Sequence, residues 1–207
     1  MNKYKLVSLV LAIALIASLA RLVMSLSNEI PTPSEAVVQN ILSRKSVRSY
    51  TDRPVPRTML DSLVRLGMAA PTGIDARPWQ FIIFDDTASI RSLHTALPRA
   101  QQLSEATAAI LVCGDTTVIT KRGMPSATWM LDTSAATQNI LLGAEAMGLG
   151  ACWIGIYPYD DRMGPTSELL QLPEGIIPMS LISIGYPKGE NAPKDKYDIE
   201  KIHFNGW

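Results

Sequence analysis

Apolar residues run almost unbroken near the start of the chain. Between Leu6 and Ala20 only Ser8 and Ser18 are polar, and Lys3 and Lys5 stand just before them. A cationic stretch followed by an apolar one is the pattern of a secretory signal peptide or of an N-terminal membrane anchor, here over residues 1–30. A helix over that apolar run reaches about 22 Å, short of a bilayer core of about 30 Å. An anchor therefore has to continue past Arg21 through Leu22, Val23 and Met24, which makes residues 3–24 the membrane-associated stretch. Ser18-Leu19-Ala20 offers a small-x-small cleavage site. An ordinary helix packed into the body or into a dimer is the third reading. In both membrane readings the lysines hold the N-terminus in the cytoplasm and send the body to the periplasmic side.

After Ile30-Pro31-Thr32-Pro33, a linker, short periodic segments follow. Ala36, Val37, Ile41 and Leu42 recur at helical spacing behind Thr32 or Ser34 as the cap. Met59, Leu60, Leu63, Val64 and Leu66 form the apolar stripe of a second helix over 57–68. Strands are expected at 79–84, 108–113, 151–156 and 179–186, with helices at 87–97, 126–147 and 160–170 between them. Gly148-Leu149-Gly150 stops the long helix. That helix is rich in small residues (Ser134, Ala135, Ala136, Gly143, Ala144), so it either lies across its own sheet or is shared with a partner copy. Interleaved helices and strands predict a layered body of mixed α and β elements over residues 31–207.

Composition narrows the function. The chain has 207 residues, 47% hydrophobic, and its 19 basic and 19 acidic residues cancel, so a nucleic-acid partner is not expected. The body is one domain in size. Cys113 and Cys152 both sit in apolar strand-like runs and read as buried thiols; a disulfide needs their strands to be neighbours. His94 and His203 are isolated, no Cys/His cluster has zinc spacing, and neither histidine is expected to be catalytic.

Four segments carry candidate chemistry. Arg44, Ser46 and Arg48 alternate, so an extended backbone puts all three on one side, where guanidinium forks and a hydroxyl suit a phosphate. Pro71-Thr72-Gly73 turns the chain from a helix into the strand that opens at Trp79, and Gly73 lets a flat group approach the backbone. Gly155 sits inside a strand, after Ile154, which also points to something packed close to the main chain. Lys194 and Lys196 follow the last strand. Asp75 and Arg77 are placed to pair with each other.

In this order and spacing the four segments resemble the nitroreductase family over about residues 34–207. The resemblance implies an α+β fold, a three-layer α/β sandwich with a central, mostly antiparallel sheet flanked by helices, in a homodimer. It implies FMN as cofactor. Arg44, Ser46 and Arg48 match the phosphate and ribityl contacts, and Pro71, Thr72 and Gly73 the loop beside the ring, with Asp75 in the same loop. Ile154 and Gly155 match the segment facing the flavin N5 and O4 edge, and Lys194 and Lys196 the basic pair that completes the phosphate site. Asp75 and Arg77 stand where the family often has Asn and Gln. The implied activity takes a hydride from NAD(P)H onto flavin N5 and reduces a nitroaromatic, quinone or similar acceptor by a ping-pong exchange, with no side chain acting as acid or base. A flavin-dependent dehydrogenase or dehalogenase, or an FMN-binding protein without turnover, is the alternative. Reductases of this kind draw on cytosolic NAD(P)H, which keeps a cytoplasmic location open beside the exported one.

Overall fold

The computed structural model of the protein describes residues 3–29 and 31–207, the side chains at 5, 6, 10 and 22–29 aside. The chain divides into two compact units, Met1–Gln39 and Asn40–Trp207.

In the first unit a helix, α1, runs over Lys3–Glu29. Leu9, Leu11, Ile13, Leu15, Ile16 and Leu19 are all exposed on it. Part of the signal-peptide or anchor expectation rests on positions outside the described residues. Among the described residues no helix is long and apolar enough to cross a membrane, so that expectation gains no support. The next helix, α2 (Pro33–Ser43), opens with a reciprocal cap. Thr32 Oγ1 accepts from the Glu35 N–H at 3.3 Å, and Glu35 Oε2 accepts from the Thr32 N–H at 2.8 Å. Thr32 rather than Ser34 is therefore the cap. The apolar stripe predicted for α2 is present, but among the described residues none of the helix is buried, and Val37, Val38, Ile41 and Leu42 are exposed. Spacing makes a helix amphipathic without supplying a partner for it.

The second unit alternates helix and strand, as the periodicity predicts: α3 (Arg57–Met68), β1 (Trp79–Phe84), α4 (Thr87–Ala96), β2 (Ala108–Asp115), α5 (Trp129–Ala146), β3 (Gly150–Gly155), α6 (Asp160–Leu170) and β4 (Ile176–Gly185). The strands form one sheet in the order β1-β2-β4-β3, every pair antiparallel. Side chains alternate across a strand, and β2 uses both faces. Ala108, Ile110 and Val112 point to a cluster with Leu60 and Leu63 of α3 and Ile140 and Ala144 of α5. Ala109, Leu111 and Cys113 point to the opposite cluster, with Ile90 and Leu93 of α4 and Met163 and Leu170 of α6. The result is the expected three-layer α+β sandwich.

Three boundaries differ from the periodic reading by two residues or more. β2 runs on to Asp115, and β4 starts at Ile176. Their ladder is offset between Val112 and Cys113, where Pro178 enters opposite Cys113 without an N–H to offer. α5 starts at Trp129 rather than 126, because the Ser126 N–H donates to the Val118 carbonyl and holds that stretch in a loop. α5 lies across its own sheet and packs on α3. Cys113 and Cys152 are free and buried; β4 separates their strands, so the condition for a disulfide is not met. Burial pushes the Cys113 thiol up to about 12.

Candidate active site

The basic segment leaves α2 at Arg44, whose N–H donates to the Asn40 carbonyl, and becomes extended. Ser46 bridges Ala151 of β3 in parallel, and the Val47 N–H donates to the Ala151 carbonyl at 3.0 Å. Alternation then sorts the side chains. Val47 is fully buried and Lys45 reaches Glu145 of α5 at 2.8 Å, while Ser46 and Arg48 face outward and Arg44 is half-buried. The far end is pinned twice. The buried Tyr50 hydroxyl donates to the Val47 carbonyl at 2.7 Å and meets Ser183 Oγ at 2.8 Å. Glu105 accepts from Ser49 Oγ at 2.8 Å and from the Tyr50 N–H at 3.1 Å, and these two bonds hold its carboxyl below the usual glutamate value.

This docking sets Arg44, Ser46 and Arg48 beside Cys152 of β3. Burial raises that thiol's pKa, and Arg48, Ser46 and Arg44 oppose the rise. Three residues farther along β3 the strand ends at a cavity of about 400 Å³ between the end of α4 and the start of α6. Its walls include Arg99, Gln102, Ile154, Gly155, Asp161 and Arg162. Arg162 Nη1 donates to the Gly155 carbonyl at 2.6 Å. Gln102 reaches back toward Cys152 Sγ at 3.8 Å, linking the cavity wall to the basic segment. Ile154 and Gly155 thus lie on the strand that the basic segment pairs with, although Arg44, Ser46 and Arg48 do not line the cavity.

Pro71, Thr72, Gly73 and Asp75 lie elsewhere. They precede β1, at the other edge of the sheet from β3. Three strand spacings separate the two edges, roughly 14 Å. A second cavity of about 470 Å³ lies there, lined in part by Pro71, Thr72, Asp75, Arg77 and Trp79. Asp132 of α5, buried, holds this loop: its carboxylate accepts from the Gly73 N–H at 3.0 Å and from Thr128 Oγ1 at 3.1 Å. Thr128 packs so closely on Gly73 that a Cβ there would collide with its hydroxyl. Ile74, Asp75 and Arg77 all take left-handed backbone angles (φ 55°, 54° and 49°), a costly choice for side chains of this kind. The expected Asp75–Arg77 pair forms, at 2.6 and 3.0 Å, and Lys121 adds a third charge at 3.6 Å. The Arg77 guanidinium accordingly lowers the Asp75 carboxyl.

Lys194 and Lys196 lie exposed in the C-terminal tail. The tail begins near the basic segment, where the Lys188 N–H donates to the Ser49 carbonyl. His94 sits on α4, and His203 stacks on Trp207 at 4.3 Å; neither lines either cavity. Local patterns gave no access to Arg99, Gln102, Asp161 and Arg162, which become neighbours only when α4 and α6 flank the end of β3. Asp132 carries no local mark of its partners, which lie before α5 and in the loop that precedes β1.

A family model described as the nitroreductase family matches residues 41–117 and 91–186. The chain belongs to the nitroreductase family. It is 36% identical over 171 residues to a putative NADH dehydrogenase/NAD(P)H nitroreductase of Methanothermobacter thermautotrophicus, covering 83% of this chain and 87% of the relative. A crystal structure under the same description from Parabacteroides distasonis is 48% identical, with a TM-score of 0.76, over 83% of this chain and 98% of that one. An FMN-dependent nitroreductase of Clostridium difficile is 28% identical, with a TM-score of 0.73, over 82% and 99%. In this chain the basic segment pairs with β3, the strand that ends at Gly155.

Proposed function

We propose that this nitroreductase-family oxidoreductase binds FMN at the β3 edge and uses NAD(P)H to reduce a nitroaromatic, a quinone or a similar acceptor. One observation carries the reading: Ser46 pairs with Ala151, which seats the basic segment beside the strand that ends in the 400 Å³ cavity. A phosphate and a flat ring then have adjacent places. Arg44, Ser46 and Arg48 hold the phosphate by charge-assisted hydrogen bonds, and Lys194 and Lys196 complete its neutralisation. The cavity fits the ring chemically. Leu97, Trp153 and Ile154 give it an apolar wall, and the Gln102 amide and Arg162 guanidinium supply donors. When bound, FMN would supply the two-electron chemistry of a ping-pong exchange between NAD(P)H and the acceptor. The names of the Methanothermobacter and Clostridium relatives support both the nicotinamide donor and the flavin.

The protein's own groups bind, orient and stabilise charge. No side chain at the cavity is needed to carry a proton. Pro71, Thr72, Gly73 and Asp75 join the site in a homodimer, where a second copy brings its β1 edge to the β3 edge of the first. The exposed Met130 and Leu131 of α5 and the exposed Phe204 and Trp207 of the tail supply apolar surface for such an interface. The chemistry belongs to residues 31–207.

The test is a visible spectrum of the purified full chain after incubation with FMN, followed anaerobically as NADH or NADPH is added. Flavin bands that bleach, then return with a nitroaromatic or quinone, are expected. Bands that persist would point to a different electron donor or to binding without turnover. A colourless protein that cannot be reconstituted would sink the reading.

A further inference from the structure

Arg162 has the strongest unexplained geometry in the molecule. It lies in the first turn of α6, where its N–H donates to the Tyr159 carbonyl at 3.0 Å. Its guanidinium carbon sits 4.4 Å over the Tyr159 ring. Nη1 donates to the Gly155 carbonyl at 2.6 Å, and the side chain forms part of the cavity wall. A Cβ placed on Gly155 would meet Tyr159 at 3.6 Å and Arg162 at 4.0 Å, so these two side chains flank the glycine itself. The neighbouring carboxylate, Asp161, pairs with Arg99 at 3.7 Å. Stacking, helix start and carbonyl contact therefore fix a cation at the end of β3. A planar guanidinium held on three sides loses little further freedom when it acts on a bound group.

We propose that Arg162 is a positioning residue of the flavin site. It locks the Gly155 carbonyl and holds a fixed positive charge against the ring the cavity receives, which makes that ring easier to reduce. The inference rests on the FMN reading above. Its physics is simple: reduction adds negative charge to the ring, and a preorganised cation in a partly dry wall favours the charged form over the neutral one. Removing the cation lowers the midpoint potential; keeping a cation there preserves most of it.

The experiment measures two quantities on the full chain, FMN affinity by fluorescence titration and the midpoint potential of bound FMN against a reference dye. Wild type, Arg162→Gln and Arg162→Lys are compared, with Arg162→Met as the neutral variant if the glutamine protein does not fold. The neutral variant is expected to fall by about 30 mV, the equivalent of a tenfold loss in preference for reduced over oxidised flavin, while the lysine variant stays near wild type. A neutral variant that holds FMN at the wild-type potential overturns the proposal. So does a lysine variant that falls as far as the neutral one, because charge is then not the cause. A wild-type chain that binds no FMN defeats the functional reading first, and the two failures are thereby told apart.

Discussion

The two edges of the sheet are built on opposite logic. At the β3 edge the backbone carries the structure: Ser46 pairs with Ala151, Tyr50 and Glu105 pin the turn behind it, and Arg44 and Arg48 meet no carboxylate among the described residues, Arg48 donating only to the Ser46 carbonyl. At the β1 edge the side chains carry it: Asp75 engages Arg77 and Lys121, and Asp132 engages Gly73 and Thr128. One edge leaves two cations without a carboxylate among the described residues; the other pairs its charges with each other. A binding site needs the first arrangement, because a cation already paired offers little to an incoming phosphate. A loop that must hold an unfavourable backbone shape needs the second.

The largest effect expected from breaking this contrast is at the β3 edge. Arg44→Ala should weaken FMN binding roughly ten- to hundredfold, the size of one charge-assisted hydrogen bond of about 1.5–3 kcal/mol. Fluorescence titration measures it, and an unchanged Kd would remove Arg44 from the phosphate site. Next comes the buried clamp of the opposite edge. Asp132→Ala leaves the Gly73 N–H and Thr128 hydroxyl without their acceptor and should cost about 1–3 kcal/mol of stability. A urea midpoint equal to wild type would show that the loop does not depend on it. Gly73→Ala should disturb the same contact from the other side, because its new methyl meets Thr128.

A smaller effect tests the pin behind the basic segment. The Glu105 carboxyl is held below its ordinary value of 4.5 by Ser49 and the Tyr50 N–H. A depressed carboxylate stabilises the fold fully above its unfolded value, and loses that contribution as the pH falls through its folded value. Glu105→Gln should therefore melt below wild type at neutral pH, and the gap should close in acid. A gap that widens in acid would reverse the assignment. The smallest effect is at the exposed Asp75. Asp75→Ala should shift the melting temperature slightly at low salt and not at all at high salt, since exposed pairs are screened. A large shift at high salt would mean that the ion pair, not Asp132, holds the strained loop.

The site was readable in pieces before it was readable as a place. Arg44-x-Ser46-x-Arg48 announces an extended cationic face, because alternation is a local property of the backbone. Asp75 and Arg77 sit two residues apart, and they do pair. Arg99, Gln102 and Arg162 carry no such local mark, since each is an ordinary polar residue in a turn or the first turn of a helix. Their common meaning comes from α4 and α6 packing on one face of the sheet, a contact between distant parts of the chain. The same holds for α2. Its apolar spacing is plain in the sequence, yet no residue of the helix is buried among the described residues.

By itself the sequence determined which stretches become helix and which become strand. Period and capping residues act over a few positions and are written in order: Thr32 with Glu35 at the start of α2, Leu60 with Leu63 along α3. It also determined the chemistry available, a chain with cations in closely spaced pairs. Only the tertiary structure decided where that chemistry meets. The strand order β1-β2-β4-β3 places the basic segment and Gly155 on one edge and Pro71-Thr72-Gly73 on the other. Strand order is a choice among pairings of similar local quality. It is settled by which arrangement buries both faces of β2 and β4 at once, a sum over the whole core that no short segment contains.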